Sequence, residues 1–164
     1  MNRQQLGTKL TLDALDVPLD LGTFDGRLTI QKSTYLAAAA GSDCGYYFRW
    51  YLRGPYSPEL TRDAFSIKAD VDGGLDESSR WVFDDAALQR LDKARKLIPA
   101  RGTPDRARKL ELLASVHFLV DRRQVPRADA KPITGLLRKY NKDYSEEEVA
   151  EALTELRRHE VLPA

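Results

Sequence analysis

A chain of 164 residues suffices for one domain, and a domain of this size buries roughly two thirds of the surface its unfolded form exposes, so it needs no staples. With 42% hydrophobic and 31% charged residues the composition is that of a globular protein, and the longest apolar runs, 35–40 and 112–120, are too short to span a bilayer. Cys44 is alone, which excludes an internal disulfide; with an N-terminus unlike a signal peptide, this points to the reducing cytoplasm.

The net charge of +1 conceals a segregation along the chain. Residues 1–89 carry 9 Lys and Arg against 13 carboxylates, 90–142 carry 15 against 5, and 143–164 carry 2 against 7. Such segregation can generate a local field on a nearly neutral molecule, although helices also expose Lys and Arg routinely.

No repeat or low-complexity segment appears, and the chain reads as a single domain over 1–164. Residues 2–16 predict a first helix with Leu6, Leu10 and Leu12 facing inward; Pro18 and Gly22 interrupt it, and 20–26 reads as a loop. A second helix over about 27–40 sets Leu28, Tyr35, Leu36 and Ala39 on one face, and Gly41 stops it. Within Tyr46–Leu52, Phe48, Trp50 and Leu52 alternate with Arg49 and Tyr51, the pattern of a short strand, which Gly54-Pro55 breaks. Ser57 then caps a helix whose first position is Pro58, with Leu60, Ala64, Ile67 and Val71 at helical spacing.

Asp72-Gly73-Gly74 predicts a turn, and Arg80–Phe83 a short strand of a hairpin. Asp84 or Asp85 caps a helix with Leu88, Leu91 and Ile98 on one side, and Thr103-Pro104 repeats the Ser57-Pro58 arrangement to open a helix over about 104–122. That helix is apolar nearly all round, so it is expected to be the buried central one. Ile133, Leu136, Leu137 and Tyr140 fall at i, i+3, i+4 and i+7. Ser145 and Glu148 form a capping box opening a last helix with Val149, Ala152, Leu153 and Leu156 inward. The pair 131–141 and 145–158 has the dimensions of a helix-turn-helix. The expected fold is mainly α with a small β element (α+β): a compact helical domain with a winged-helix-like hairpin and a C-terminal helix pair.

Catalysis needs a nucleophile with a base, a metal cluster or a phosphate cradle, and the sequence supplies none at recognisable spacing. His117 lies inside the apolar helix and reads as a satisfied core histidine, while His159 sits in a last helical turn where it favours the dipole. Neither has a local partner at metal-ligand spacing, and Gly73-Gly74 lacks the setting and lysine of a phosphate loop. The expectation is therefore a non-enzymatic protein without metal or cofactor.

Two surfaces remain. The aromatic cluster supplies core in Phe48 and Trp50, leaving Tyr47, Tyr51 and Tyr56 open as contact residues. The basic residues Arg101, Arg106, Arg108, Lys109, Arg122, Arg123, Arg127, Lys131, Arg138, Lys139 and Lys142 could contact phosphates with salt-dependent affinity. Against ordinary major-groove reading, the second helix of the C-terminal pair carries Glu146, Glu147, Glu148, Glu151 and Glu155, which repel DNA.

Residues Gln31-Lys32-Ser33-Thr34-Tyr35-Leu36, followed by Arg53-Gly54-Pro55-Tyr56-Ser57-Pro58-Glu59-Leu60, resemble the QK-x-x-YL … GPYS-x-x-L pattern of YwgA-like proteins and the related Panacea (SocA-like) antitoxin domains, shared by the C-terminal domain of DarG-type antitoxins. Leu110–Leu119 is similar to their LELLATVHFL helix, and Tyr144–Val149 to their closing helix, so the likeness covers about 26–160. Arg53 stands where those proteins often carry a histidine, and Ser33-Thr34 where they carry apolar residues. The resemblance implies a mainly helical fold with a small β element. It also implies a non-enzymatic role: neutralising a toxin by direct binding, or occupying a toxin's nucleic-acid site.

Physically, Gln31 and Lys32 are the least obviously structural of the shared residues, able to hydrogen-bond either the 54–57 loop or a partner. The first expectation is a protein partner, a toxin or other effector, met through Gln31, Lys32, Tyr47, Tyr51, Arg53 and Tyr56. The second is a DNA-binding transcriptional or phage-related regulator that uses the basic 101–142 region.

Overall fold

Asn2 opens the first helix, α1 (Arg3–Ala14): its side chain accepts from the Gln5 backbone N–H at 2.9 Å while the Gln5 side chain accepts from the Asn2 N–H at 3.0 Å. The structure, a computed structural model, describes residues 1–163. Leu12 of α1 is buried, but Leu6 and Leu10 are only half-buried. The next helix, α2 (Phe24–Ala39), starts three residues before the expected point because Thr23 caps it, accepting from the Gly26 N–H at 3.0 Å. Gly26 belongs to this first turn for a steric reason: a Cβ there would lie 2.3 Å from the Asp20 carbonyl oxygen.

A two-stranded antiparallel hairpin follows, β1 (Arg49–Tyr51) and β2 (Gly54–Tyr56), with Trp50 opposite Pro55. Gly54-Pro55 was expected to end the β element; it instead forms the returning strand. Gly54 has φ +80°, a left-handed conformation that glycine adopts without penalty after the two-residue Leu52-Arg53 turn. Helix α3 (Pro58–Asp72) is capped by Ser57, as its sequence predicts, with Leu60, Ala64 and Ile67 buried.

The strand expected over Arg80–Phe83 does not form. A 3₁₀ turn, Ser78–Arg80, stands there, and Trp81 and Val82 are exposed with no neighbouring strand to pair with. Helix α4 (Asp85–Leu97) is capped by Asp84 but buries Leu91, Ala94 and Leu97, leaving Leu88 exposed. Thr103-Pro104 does not reproduce the Ser57-Pro58 cap: α5 (Arg106–Asp121) begins after Asp105, which has φ +55° and makes no side-chain cap.

Ten consecutive residues of α5, Leu110–Leu119, are buried, and so are ten of α2, Leu28–Ala37. These two helices pack side by side as the centre of the molecule. Helix α4 lies on α2, while α6 (Ala130–Lys139) and α7 (Glu146–Arg158) form the C-terminal pair, α7 against α5. The Ser145–Glu148 capping box opens α7. One hydrophobic cluster includes residues of every helix, among them Leu12, Leu36, Leu60, Leu91, Leu110, Ile133 and Val149, and truncating such a side chain to Ala typically costs about 2–5 kcal/mol. The fold is thus mainly α with a small β element, and no helix among the described residues is long and apolar enough to cross a membrane. The hairpin falls between α2 and α3, far in sequence from the C-terminal pair, but Trp50 meets Tyr140 at the end of α6 at 4.7 Å between ring centroids.

Candidate functional site

The hairpin is held from behind by two buried polar side chains of α2. Gln31 acts as a clamp on Ser57: its Nε2 donates to the Ser57 carbonyl at 2.8 Å and its Oε1 accepts from the Ser57 N–H at 3.0 Å. One turn position on, the Lys32 Nζ donates to the Pro55 carbonyl at 2.6 Å. Pairing these backbone groups matters because an unsatisfied buried polar group costs about 1–3 kcal/mol. Both side chains are therefore spent on the 54–57 segment, and neither is available at the surface to the partner foreseen for it: Gln31 is 5% exposed and Lys32 2%.

From the α5 side, Glu111 is the hub of a second buried polar group. The Lys142 Nζ, from the turn between α6 and α7, donates to its carboxylate and to the Leu52 carbonyl at the hairpin tip, the latter at 3.1 Å. Arg53 approaches the other Glu111 oxygen at 3.6 Å and sits over the Phe24 ring. This group ties hairpin, α5 and the α6–α7 turn together at the floor of an open cleft of roughly 1260 Å³. Its walls come from the start of α2 (Phe24, Leu28), the hairpin (Trp50–Arg53), the start of α5 (Arg106, Arg108) and the end of α6 (Lys139, Tyr140).

Above the clamp, the hairpin presents a mixed outer surface. Tyr47, Tyr51, Leu52 and Arg53 are exposed, whereas Tyr46 and Phe48 are buried and Trp50 is half-buried; the alternation holds over 46–51 and ends at the exposed Leu52-Arg53 turn. Tyr56 is half-buried, its ring 5.4 Å from that of Tyr51 and its hydroxyl 3.0 Å from Thr61.

The basic residues converge only in part: Arg106, Arg108, Lys139 and Lys142 line the cleft, whereas Arg101, Lys109, Arg122, Arg123, Arg127 and Arg138 do not. Arg108 pairs with Glu148, Lys109 with Glu155 at 2.9 Å, Arg101 with Asp16 at 2.6 Å and Arg127 with Asp129 at 3.0 Å. Two of these cations, Arg108 and Lys109, are thus paired by the acidic helix α7, and Arg101 and Arg127 by carboxylates elsewhere. Lys142 is buried, 5% exposed, which removes it as a phosphate contact. Arg122 lies over the Phe118 ring and near Asp121, and Arg106 is half-buried with its Nε unpartnered among the described residues. Arg123, Arg138 and Lys139 are exposed and pair with no carboxylate among the described residues.

His117 is buried away from the cleft, its Nδ1 2.7 Å from the Tyr35 hydroxyl; burial holds its pKa below the ordinary histidine value. The sequence reading missed Glu111, yet a signal existed: it is the one acidic residue in the run Leu110–Val120, and a lone charge there demands a buried partner.

Burial brings the Lys32 ammonium down to about 7, with Glu111 opposing and Lys142 adding to the fall. Between that value and the ordinary 10.5 the unfolded chain binds a proton that the folded chain lacks, so stability rises with pH, and the penalty is fully present below 7. Urea unfolding should show a gain of roughly 1–2 kcal/mol from pH 7 to pH 9 that Lys32→Met abolishes; the same slope in both proteins would refute this.

No protein-family model matches this chain, and no curated protein or solved structure matches it.

Proposed function

We propose that this chain is a non-enzymatic, antitoxin-like protein-interaction module that neutralises or regulates an effector protein by direct binding. The hairpin and the adjoining cleft form its contact surface. The observation that carries this reading is the two-sided construction of the hairpin. Its inner side is fastened by Gln31, Lys32 and Lys142, all buried, while its outer side leaves Tyr51 at 53% and Leu52 at 75% exposure. A tip that is rigidly held loses little entropy on binding, and burying its apolar surface returns about 25 cal/mol per Å². Tyr and Arg side chains are the common anchors of such contacts.

The buried, Tyr35-bonded His117 supports a non-enzymatic role, since the chain's most central histidine is committed to the core. Nucleic acid binding has less support, because Arg101, Arg108, Lys109, Arg127 and Lys142 already hold carboxylates.

The test is purification of the tagged full chain from the cells that encode it, beside a Tyr51→Ala/Leu52→Ala double variant. A stoichiometric protein partner should accompany the parent chain and be lost from the variant, whose melting temperature stays close to the parent's because both side chains are more than half exposed. Absence of any such partner, or its full retention by the variant, would refute the proposal.

A further inference from the structure

Resting on that reading, we infer that the partner segment received at the hairpin is acidic: a stretch carrying Asp or Glu beside apolar side chains, laid along Tyr47, Arg49, Tyr51, Arg53 and Lys139. From Cys44 to Pro58 the chain contains Arg49 and Arg53 and no carboxylate. Arg49 is exposed and pairs with no carboxylate among the described residues. Arg53 is 62% exposed along its side chain, and its one ionic contact among the described residues, to Glu111, is long at 3.6 Å. A planar guanidinium so placed can take a carboxylate through two parallel N–H donors, a geometry that its present contact does not use.

The tertiary structure adds a third cation from a remote part of the chain. Contact of Trp50 with Tyr140, and the bond from Lys142 to the Leu52 carbonyl, bring the end of α6 beside the hairpin, so Lys139 and Arg53 line the same cleft. Two nearby carboxylates are already committed, Glu111 to Lys142 and Asp20 to the Gly22 and Thr23 backbone and the Thr23 hydroxyl. Exposed Asp25, Asp105 and Asp143 line the walls given by α2, α5 and the α6–α7 turn. They confine the attraction to the hairpin and the end of α6, and they repel a polyanion that fills the whole cleft. A short acidic segment needs two or three charges matched over one strip, whereas nucleic acid needs a continuous cationic track along its backbone. Tyr47 and Tyr51 beside the arginines offer apolar area with a polar tip to the segment's uncharged side chains.

Selection of short random peptides displayed on phage against the full chain tests the inference. Enriched peptides should carry an excess of Asp and Glu over the library. A fluorescent synthetic copy of the leading peptide should bind about tenfold more weakly to Arg49→Glu/Arg53→Glu, while Arg123→Glu, exposed elsewhere, leaves binding within about twofold. Failure to enrich any peptide, enrichment without acidic excess, indifference to the double reversal, or tighter binding of oligothymidylate than of the peptide would each overturn it. The two readings fail separately. Peptides without acidic excess that are lost on Tyr51→Ala leave the hairpin as the contact surface and remove only the acidic partner. Peptides indifferent to both Tyr51→Ala and the double reversal remove the hairpin as well. Circular dichroism of each variant, with melting temperatures matching the parent, ties a loss of binding to the surface rather than to unfolding.

Discussion

Replacing Glu111 by Gln is expected to destabilise the fold by about 3–5 kcal/mol, the usual cost of removing one member of a buried ion pair. Glu111 is 4% exposed and Lys142 5%, so the orphaned ammonium can neither hydrate nor leave without pulling the α6–α7 turn off α5. Its remaining bond, to the Leu52 carbonyl, joins it to the hairpin tip, so strain spreads to the proposed contact surface. Arg53 also loses a contact, but an exposed pair of this kind is worth little. Removing both charges should be milder. Glu111→Leu/Lys142→Met takes out the pair together, and Lys32, which loses the attraction of Glu111, is relieved of the repulsion of Lys142 at the same time. Replacing buried pairs with apolar groups is often neutral. Urea unfolding of the parent, both single variants and the double variant measures the coupling directly. Near-additive single effects, or a Gln variant within about 1 kcal/mol of the parent, would show that the pair does not organise the cleft floor.

Gly54→Ala comes next in size, at about 2–4 kcal/mol. Two costs combine. The residue sits at φ +80°, where any side chain brings strain of about 1–2 kcal/mol, and its Cβ would stand 2.3 Å from the Ser115 hydroxyl, an overpacking usually worth about 1–3 kcal/mol. The two can be separated. The Ser115 Oγ is buried and has no hydrogen-bond partner among the described residues, so Ser115→Ala alone should be neutral or slightly stabilising. In the Gly54→Ala background it removes the close contact, because the Ser115 Cβ lies 3.5 Å from the new methyl position. The double variant should therefore recover the packing share of the loss and keep the conformational share. If Ser115→Ala rescues nothing, contact between hairpin and α5 is not what requires glycine here.

Most helix ends were legible in the sequence. Ser57-Pro58, Asp84 and the Ser145–Glu148 box all cap helices as read, since a capping side chain bonds a backbone N–H three residues away. The same local chemistry misled where a neighbour in space intervened. Gly26 reads as loop yet lies in α2, where the Asp20 carbonyl leaves no room for a side chain. Trp81-Val82-Phe83 has the residues of a strand but no strand beside it, and Gly54-Pro55 reads as a break yet pairs with β1. Thr103-Pro104 resembles a working cap two residues before the helix actually starts.

By itself the sequence determined a mainly helical protein with a small β element, two nearly all-apolar helices at its centre and most of its helix starts, because periodicity and capping act within a few turns of chain. Which charges meet was decided only by the tertiary structure. Lys142 finds Glu111 across 31 residues and Arg108 finds Glu148 across 40, and these pairings take two cations of the basic segment away from any outside partner. Lys32 and Gln31, read as able to bond either the 54–57 loop or a partner, take the loop, drawn inward by backbone groups 23 and 26 residues away. Ionic and hydrogen-bond partners lie only a few ångströms apart, and that proximity is a property of the fold rather than of chain order.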